Sequence, residues 1–323
     1  MGTKKILNKV DKVVVNVNPE FSYELVCAAP YAYWLHQKGV LEKVITCEGM
    51  SPFYYFCENI EEIHKQRSID NYTNGIQNLP NTWIHHNANK VMGKRYDQLT
   101  KEEQIQVNGV LDYSQWTPPP YKEIYYDSNI KVPEKYVVIS NRYNKEHGQP
   151  PVGYFDIESL YHMFDYFSNK GYDVIYKRPK NTEFVTDENE WEAEDIIADV
   201  KDYGLITDFD LVKHFDNVHL LDDVIETIGE GYNTSQLKIF ARSSGFISMG
   251  GGSSILCSYF KVPVIIYVNV SKDVRPGYFE GDTYFRKLSN APIYPVVDKK
   301  DDIIARGYRD YSQVYKSMEK AFK

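Results

Sequence analysis

The chain has 323 residues, 42% of them hydrophobic and 25% charged, with a formal net charge of −8. That length allows two domains of ordinary size, each with its own core. The acidic balance argues against general nucleic-acid binding, which needs a basic surface. No apolar run approaches the roughly 18 residues of a membrane span.

The opening MGTKKILNKVDKVVVNV carries basic residues but no apolar signal core, and it reads as the start of a mature, soluble, cytoplasmic protein. Cys27, Cys47, Cys57 and Cys257 form no CxxC pair and are expected to be free thiols. The 28 tyrosines suit either stacking on sugars and bases or a large aromatic core. Residues 12–17 (KVVVNV) form a β-branched strand that Asn18-Pro19 ends. A helix follows, with Ser22 as its expected N-cap and Leu25, Ala28, Ala29 and Ala32 at helical spacing. Glu20 and Glu24 then stand at the carboxyl end of the first strand, where open α/β sheets hold ligands. Residues 44–46 read as a strand and 58–78 as polar and helical in part. Residues 82–85 read as another strand, followed by the polar loop His85-His86-Asn87-Ala88-Asn89. Residues 99–111 carry a helical period in which Thr100 and Glu103 complete a capping box.

Residues 116–133, WTPPPYKEIYYDSNIKVP, contain three consecutive prolines and no apolar period. They read as a linker. The expected organisation is therefore an amino-terminal domain at 1–120, a linker at 121–134, a second domain at 135–307, and a final helix in 308–323 that packs back on the first domain. Within the second domain, 136–140 (YVVIS), 172–176 and 218–221 read as strands, and 156–170 reads as a helix ended by Gly171. Residues 141–152 form a polar loop, 183–202 an acidic surface excursion, and 210–215 and 234–242 two helices. The stretch 245–268, GFISMGGGSSILCSYFKVPVIIYV, then reads as strand, glycine turn, helix and strand, which is one βαβ unit. Strands alternating with helices on both sides of a linker predict an α/β protein of two Rossmann-like, doubly wound domains facing across a cleft.

Glycines at a strand-to-helix turn let backbone approach a ligand closely, and the helix start offers free N–H groups and a positive dipole end to a phosphate. An ordinary tight turn needs glycine for steric reasons alone. The neighbouring strand ends weigh between these readings. Arg142 follows 136–140, Lys177 follows 172–176 and Asp222 follows 218–221. Parallel strands would gather all three at one edge with Gly250, Gly251, Gly252, Ser253 and Ser254. Arg142 and Lys177 would then flank a phosphate, arginine with its bidentate fork. Singly, each is a solvated loop charge; their repetition at successive strand ends favours a site. Asp208-Phe209-Asp210 has the spacing of a metal-binding DxD triplet, but Asp208 before LVKHF also reads as a helix N-cap. HExxH, Walker A and GxSxG sequences are absent, and GGGSS does not match GxGxxG.

The run from Tyr136 to Val268, with helix, FISMGGGSS, helix and PVIIY, resembles the carboxyl-terminal domain of GT-B glycosyltransferases. NVNPEFSYEL and SNRYN also resemble glycosyltransferases that large algal (chlorella) viruses encode for capsid glycan synthesis. The resemblance implies that Gly250, Gly251, Gly252, Ser253 and Ser254 touch a donor diphosphate, neutralised by Arg142 and Lys177, with Asp222 on the same edge. Many retaining members carry two glutamates near this helix, and GGGSSILCSYF has none, so an inverting mechanism is implied. Such a step needs a general base, expected from the first domain as Glu20, Glu24 or His86. The expected activity is metal-independent transfer, without a cofactor, of a sugar such as xylose from a nucleotide-diphosphate sugar, preferably a UDP-sugar, to a glycan or glycoprotein acceptor. The viral likeness implies a location in the host cytoplasm. A nucleotide-sugar epimerase of the same fold and a non-catalytic nucleotide- or sugar-binding protein are the alternatives.

Overall fold

The computed structural model describes residues 11–67, 93–95, 98–103, 113–145, 151, 153–178, 192–193, 195–201, 204–268, 279 and 284–323. The chain enters through strand β1 (Val13–Asn16) and then a continuous helical rod, α1 (residues 21–37). The rod is α-helical at Phe21–Tyr23, π-helical at Glu24–Ala28 and α-helical again at Ala29–Gln37. Glu20, rather than Ser22, holds the non-helical N-cap conformation at φ −48° and ψ 142°. Ser22 lies inside the first turn and donates its hydroxyl to Glu20 Oε1 at 2.5 Å. Strands β2 (Leu41–Cys47) and β3 (Ile60–His64) extend a parallel sheet in the order β1-β2-β3. The start of the stretch expected to be polar and partly helical is thus a strand. Its carboxylates are used locally, Glu61 by Lys43 Nζ at 2.6 Å and Glu62 by the N–H groups of Gly49 and Ser51. The capping box forms, with Thr100 N–H donating to Glu103 Oε2 at 2.9 Å and Glu103 N–H to Thr100 Oγ1 at 3.2 Å. The expected strand at 82–85 lies outside the described residues.

The proline-rich segment is not an extended spacer. Tyr121–Tyr125 forms helix α2, and Tyr121 is fully buried. Its hydroxyl donates to Phe53 O at 2.9 Å, while its ring lies 5.7 Å from Phe53 and 4.8 Å from Tyr259. Tyr125 bonds to Pro52 O beside it. Aromatic packing anchors this connection to the elements before and after it.

Beyond it come β4 (Tyr136–Ser140), α3 (Ile157–Asn169) and β5 (Asp173–Lys177). Asp156 caps α3 by accepting Ser159 N–H at 2.9 Å, and Gly171 leaves it at φ +69°. Next are the hairpin strands β6 (Ile197–Val200) and β7 (Gly204–Thr207), helix α4 (Asp208–Val212), strand β8 (Val218–Leu220), and helices α5 (Leu221–Ile228) and α6 (Tyr232–Arg242). The βαβ unit follows as β9 (Phe246–Met249), α7 (Gly252–Ser258) and β10 (Val264–Val268). The chain closes with α8 (Tyr284–Leu288), β11 (Ile293–Val297), α9 (Lys300–Arg306) and α10 (Ser312–Ala321). Where 183–202 was expected to be only a surface excursion, its described end belongs to the antiparallel β6–β7 hairpin, with Ile196 and Ile206 buried.

The second sheet is parallel throughout, in the order β8-β5-β4-β9-β10-β11. Counted along the chain this is 3-2-1-4-5-6, the order of the doubly wound dinucleotide-binding fold. Its central strands are buried on both faces, which explains their uninterrupted apolar runs. One apolar core runs from Val15 of the first sheet and Tyr54 of the turn between β2 and β3, through Tyr121, to Phe240 and Tyr259 packed on the second sheet. Helix α10 corrects one expectation, because it packs on the second sheet and not on the first domain. Its Val314, Met318 and the following Phe322 are buried there, with Phe322 5.1 Å from the ring of Phe167. All four cysteines are free and buried. Among the described residues no helix is long and apolar enough to cross a membrane.

Candidate functional site

In the order 3-2-1-4-5-6, the chain leaves the first and fourth strands toward opposite sides of the sheet, opening a crevice at their carboxyl ends. Here those neighbours are β4 and β9. Asn141 and Arg142 leave β4; Gly250, Gly251 and Gly252 leave β9. The structure brings these two groups together. A Cβ built on Gly251 would lie 3.6 Å from Arg142 Nη1. Gly251 adopts φ 116° and ψ −160°, a region essentially restricted to glycine. Its carbonyl accepts Ser254 N–H at 3.1 Å, Ile255 N–H at 3.3 Å and Ser254 Oγ at 2.8 Å. The Ser254 hydroxyl is therefore committed to shaping the turn and is 1% exposed, while Ser253 is partly exposed.

Lys177 is the last residue of β5, so its side chain enters the interior instead of extending from a loop. Its Nζ donates to Gln236 Oε1 at 2.5 Å and lies 5.7 Å from the Phe240 ring. Burial lowers its pKa to about 8, against opposing contributions from Cys257 and Asp222. Asp222 stands in the first turn of α5, partly buried, and acts on Lys177 across this gap. Gln236 went unrecognised in the sequence; the available signal was a polar residue beside the apolar Leu237, Ile239 and Phe240.

The three base candidates separate. Glu24 is fully buried. It accepts Thr46 Oγ1 at 2.6 Å and the Tyr54 hydroxyl at 2.9 Å, and pairs with Arg67 Nη1 at 2.5 Å. Those contacts commit its carboxylate to the core. Glu20 is partly buried and precedes Phe21, which packs directly on the glycine turn. A Cβ on Gly252 would meet Phe21 Cδ1 at 2.8 Å and Ser22 N at 3.4 Å. The start of α1 thus abuts the start of α7, and Glu20 sits where the two meet. His86 lies outside the described residues.

No family model and no curated protein sequence matches the chain. Among solved structures, the ADP-heptose LPS heptosyltransferase II of E. coli aligns with a TM-score of 0.52 at 8% identity, over 96% of this chain and 98% of that one. In fold, this chain is similar to a heptosyltransferase. A family 9 glycosyltransferase from Veillonella parvula DSM 2008 aligns at a TM-score of 0.48 and 11% identity over 97% of both chains. At the first of these levels the likeness is one of fold, and it extends through both parallel sheets.

Two further features lie away from the switch point. Asp208 and Asp210 do not act as a pair. Asp208 is fully buried, accepts the Tyr176 hydroxyl at 2.7 Å and lies 3.2 Å from Arg178 Nε; burial raises its pKa. Asp210 completes a capping box with Thr207, which is the N-cap in place of Asp208, and reaches Lys213 at 2.8 Å. Among the described residues no group of three His, Cys, Asp or Glu converges. A cavity of about 650 Å³ runs beside edge strand β8, between Val132 and Phe215. Arg142, Lys177, Asp222 and the glycine turn do not line it.

Proposed function

We propose that the protein is a glycosyltransferase that binds a nucleoside-diphosphate sugar in the crevice between β4 and β9, and transfers the sugar with inversion. The observation that carries this reading is the Arg142 guanidinium lying against Gly251 at the topological switch point of a parallel sheet. Arg142 supplies charge-assisted hydrogen bonds to the diphosphate, and the N–H groups of Gly252 and Ser253 at the start of α7 supply more. Lys177 and Asp222 set the charge beneath. The acceptor hydroxyl attacks the anomeric carbon, a new C–O bond forms as the bond to the diphosphate breaks, and Glu20 takes the hydroxyl proton. Glu20 is favoured over Glu24 because Glu24 is engaged by three partners in the core. In this reading the two α/β units are the donor and acceptor walls of a cleft. A UDP-sugar is our proposed donor and xylose the proposed sugar, on the strength of the sequence resemblance. ADP-heptose, the donor in the name of the E. coli neighbour, is the natural comparison.

Calorimetry and thermal shift with UDP, UDP-xylose, UDP-glucose, ADP and ADP-heptose test the assignment, since a ligand of the native state raises its stability. Arg142→Ala is expected to weaken the best nucleotide by about tenfold to a hundredfold, given ~1.5–3 kcal/mol for a hydrogen bond to a charged group. Glu20→Gln is expected to bind the donor and fail to transfer it. Unchanged nucleotide affinity in Arg142→Ala would overturn the site, and conversion of the donor sugar without an acceptor would identify an epimerase instead.

A further inference from the structure

Arg142 is fixed from below by a chain of buried polar groups. Asn141, 2% exposed, donates its backbone N–H to Lys177 O at 2.9 Å. Its side-chain amide works in both directions. Oδ1 accepts the N–H groups of Arg142 and Phe155, each at 2.9 Å, and Nδ2 donates to Phe155 O at 2.9 Å and to the Tyr176 hydroxyl at 3.1 Å. Tyr176 donates its hydroxyl to Asp208 Oδ2 at 2.7 Å. Asp208 in turn accepts Ile196 N–H at 3.4 Å and faces the buried Arg178. Arg178 also lies 5.8 Å from the ring of Tyr143, the residue after Arg142.

Buried polar chains are costly unless satisfied, and a satisfied one holds a single geometry. Stapling the β6–β7 hairpin to β5 would need only the Asp208 end, with its contacts to Ile196 and Tyr176. The Asn141 end does something else. It grips the backbone of the residue whose guanidinium lies against Gly251, and Arg178 lies against the residue on its far side.

We propose that Asn141 and Tyr176, anchored by Asp208, are positioning residues for Arg142, holding its backbone so that the guanidinium meets a diphosphate in the switch-point crevice. This rests on the reading of that crevice as the nucleotide site. Tyr176→Phe removes one hydroxyl and preserves the ring, so it is the least disruptive probe. Binding of UDP, ADP and inorganic pyrophosphate is measured by calorimetry in wild type, Tyr176→Phe, Arg142→Ala and the double variant, with thermal unfolding alongside. Tyr176→Phe is expected to weaken the diphosphates about threefold to tenfold, the worth of one or two hydrogen bonds, and to have no further effect once Arg142 is alanine. Asn141→Ser, which cannot reach Tyr176, should behave the same way and replaces Tyr176→Phe if that variant does not fold. Loss of equal size with and without Arg142, or a lower melting temperature at unchanged affinity, would overturn the positioning role and leave the site intact. Unchanged binding in Arg142→Ala would remove the site itself, and the inference with it.

Discussion

Gly251→Ala isolates the conformational demand at the glycine turn. At φ 116° and ψ −160° an alanine is strained by ~1–3 kcal/mol. Space is not the obstacle, since the nearest atom to the new Cβ is Arg142 Nη1 at 3.6 Å, an ordinary contact. Relaxing the backbone offers no escape. Turning the peptide would pull the Gly251 carbonyl away from Ser254 N–H, Ile255 N–H and Ser254 Oγ, and each such bond is worth about 1 kcal/mol. The expected loss is therefore ~2–3 kcal/mol. Gly250→Ala is the control. Its φ is outside the left-handed region, and its Cβ would meet Tyr267 O and Val268 at 3.6–3.7 Å, so it should change stability by less than about 1 kcal/mol. Urea unfolding followed by fluorescence gives both values from the midpoint at constant slope. Equal losses in the two variants, within about 0.5 kcal/mol, would refute the claim that Gly251 is selected for its backbone conformation.

Lys177 yields a pH signature. Its folded-state pKa of about 8 lies below the ordinary 10.5, so the unfolded chain holds more protons between those pH values and stability rises with pH across that window. Lys177→Met should abolish that rise, read as the difference in unfolding free energy between wild type and variant from pH 7 to 10.5. It should also flatten the decline in nucleotide affinity expected above pH 8 as the ammonium charge is lost. Gly252→Ala should wedge its methyl against Phe21, 2.8 Å away, and lower transfer more than nucleotide binding. Phe21→Ala in the same chain should restore part of the loss, and a double variant no better than Gly252→Ala would show that the contact is unimportant.

The second sheet was legible in the sequence because YVVIS, FISM and VIIYV are short buried runs between turn residues, as a two-sided parallel sheet requires. Arg142 and the glycine turn were legible for the same reason, since parallel strands deliver their carboxyl ends to one edge. Strand β11, IYPVV, escaped because Pro295 and its polar setting disguise a sheet edge, where proline is tolerated. The prolines of 118–120 concealed Tyr121, whose burial is set by contacts with Phe53 and Tyr259. Both partners are distant in sequence. Lys177 was read as following its strand, and Ser254 as a phosphate contact with a hydroxyl to offer. One belongs to the strand itself and the other turns its hydroxyl onto Gly251. The amphipathic face of α10 could be read, but the surface it covers could not, because that is fixed by which sheet face remains open. No periodic pattern announces the π-helical turn at Glu24–Ala28, where all five residues are buried.

That turn changes how the two glutamates relate. Arg67 Nη1 bonds Glu24 Oε2 at 2.5 Å and Pro19 O at 2.7 Å, and its guanidinium lies 5.2 Å from the Phe21 ring. Residue 20 is therefore bracketed by contacts to one arginine, which Glu24 holds in place. Glu24 supports the proposed base and does not compete with it. Breaking a buried pair by removing one partner typically costs ~3–5 kcal/mol. Glu24→Gln should thus be destabilised on that scale, whereas Glu20→Gln, at the surface end of the helix, should stay within about 1 kcal/mol of wild type. The kinetics separate the roles further. Glu20→Gln should lose transfer at every temperature, while Glu24→Gln should retain part of it well below its lowered melting point. A folded Glu24→Gln protein that binds nucleotide normally and shows no transfer at any temperature, beside an active Glu20→Gln, would reverse the assignment.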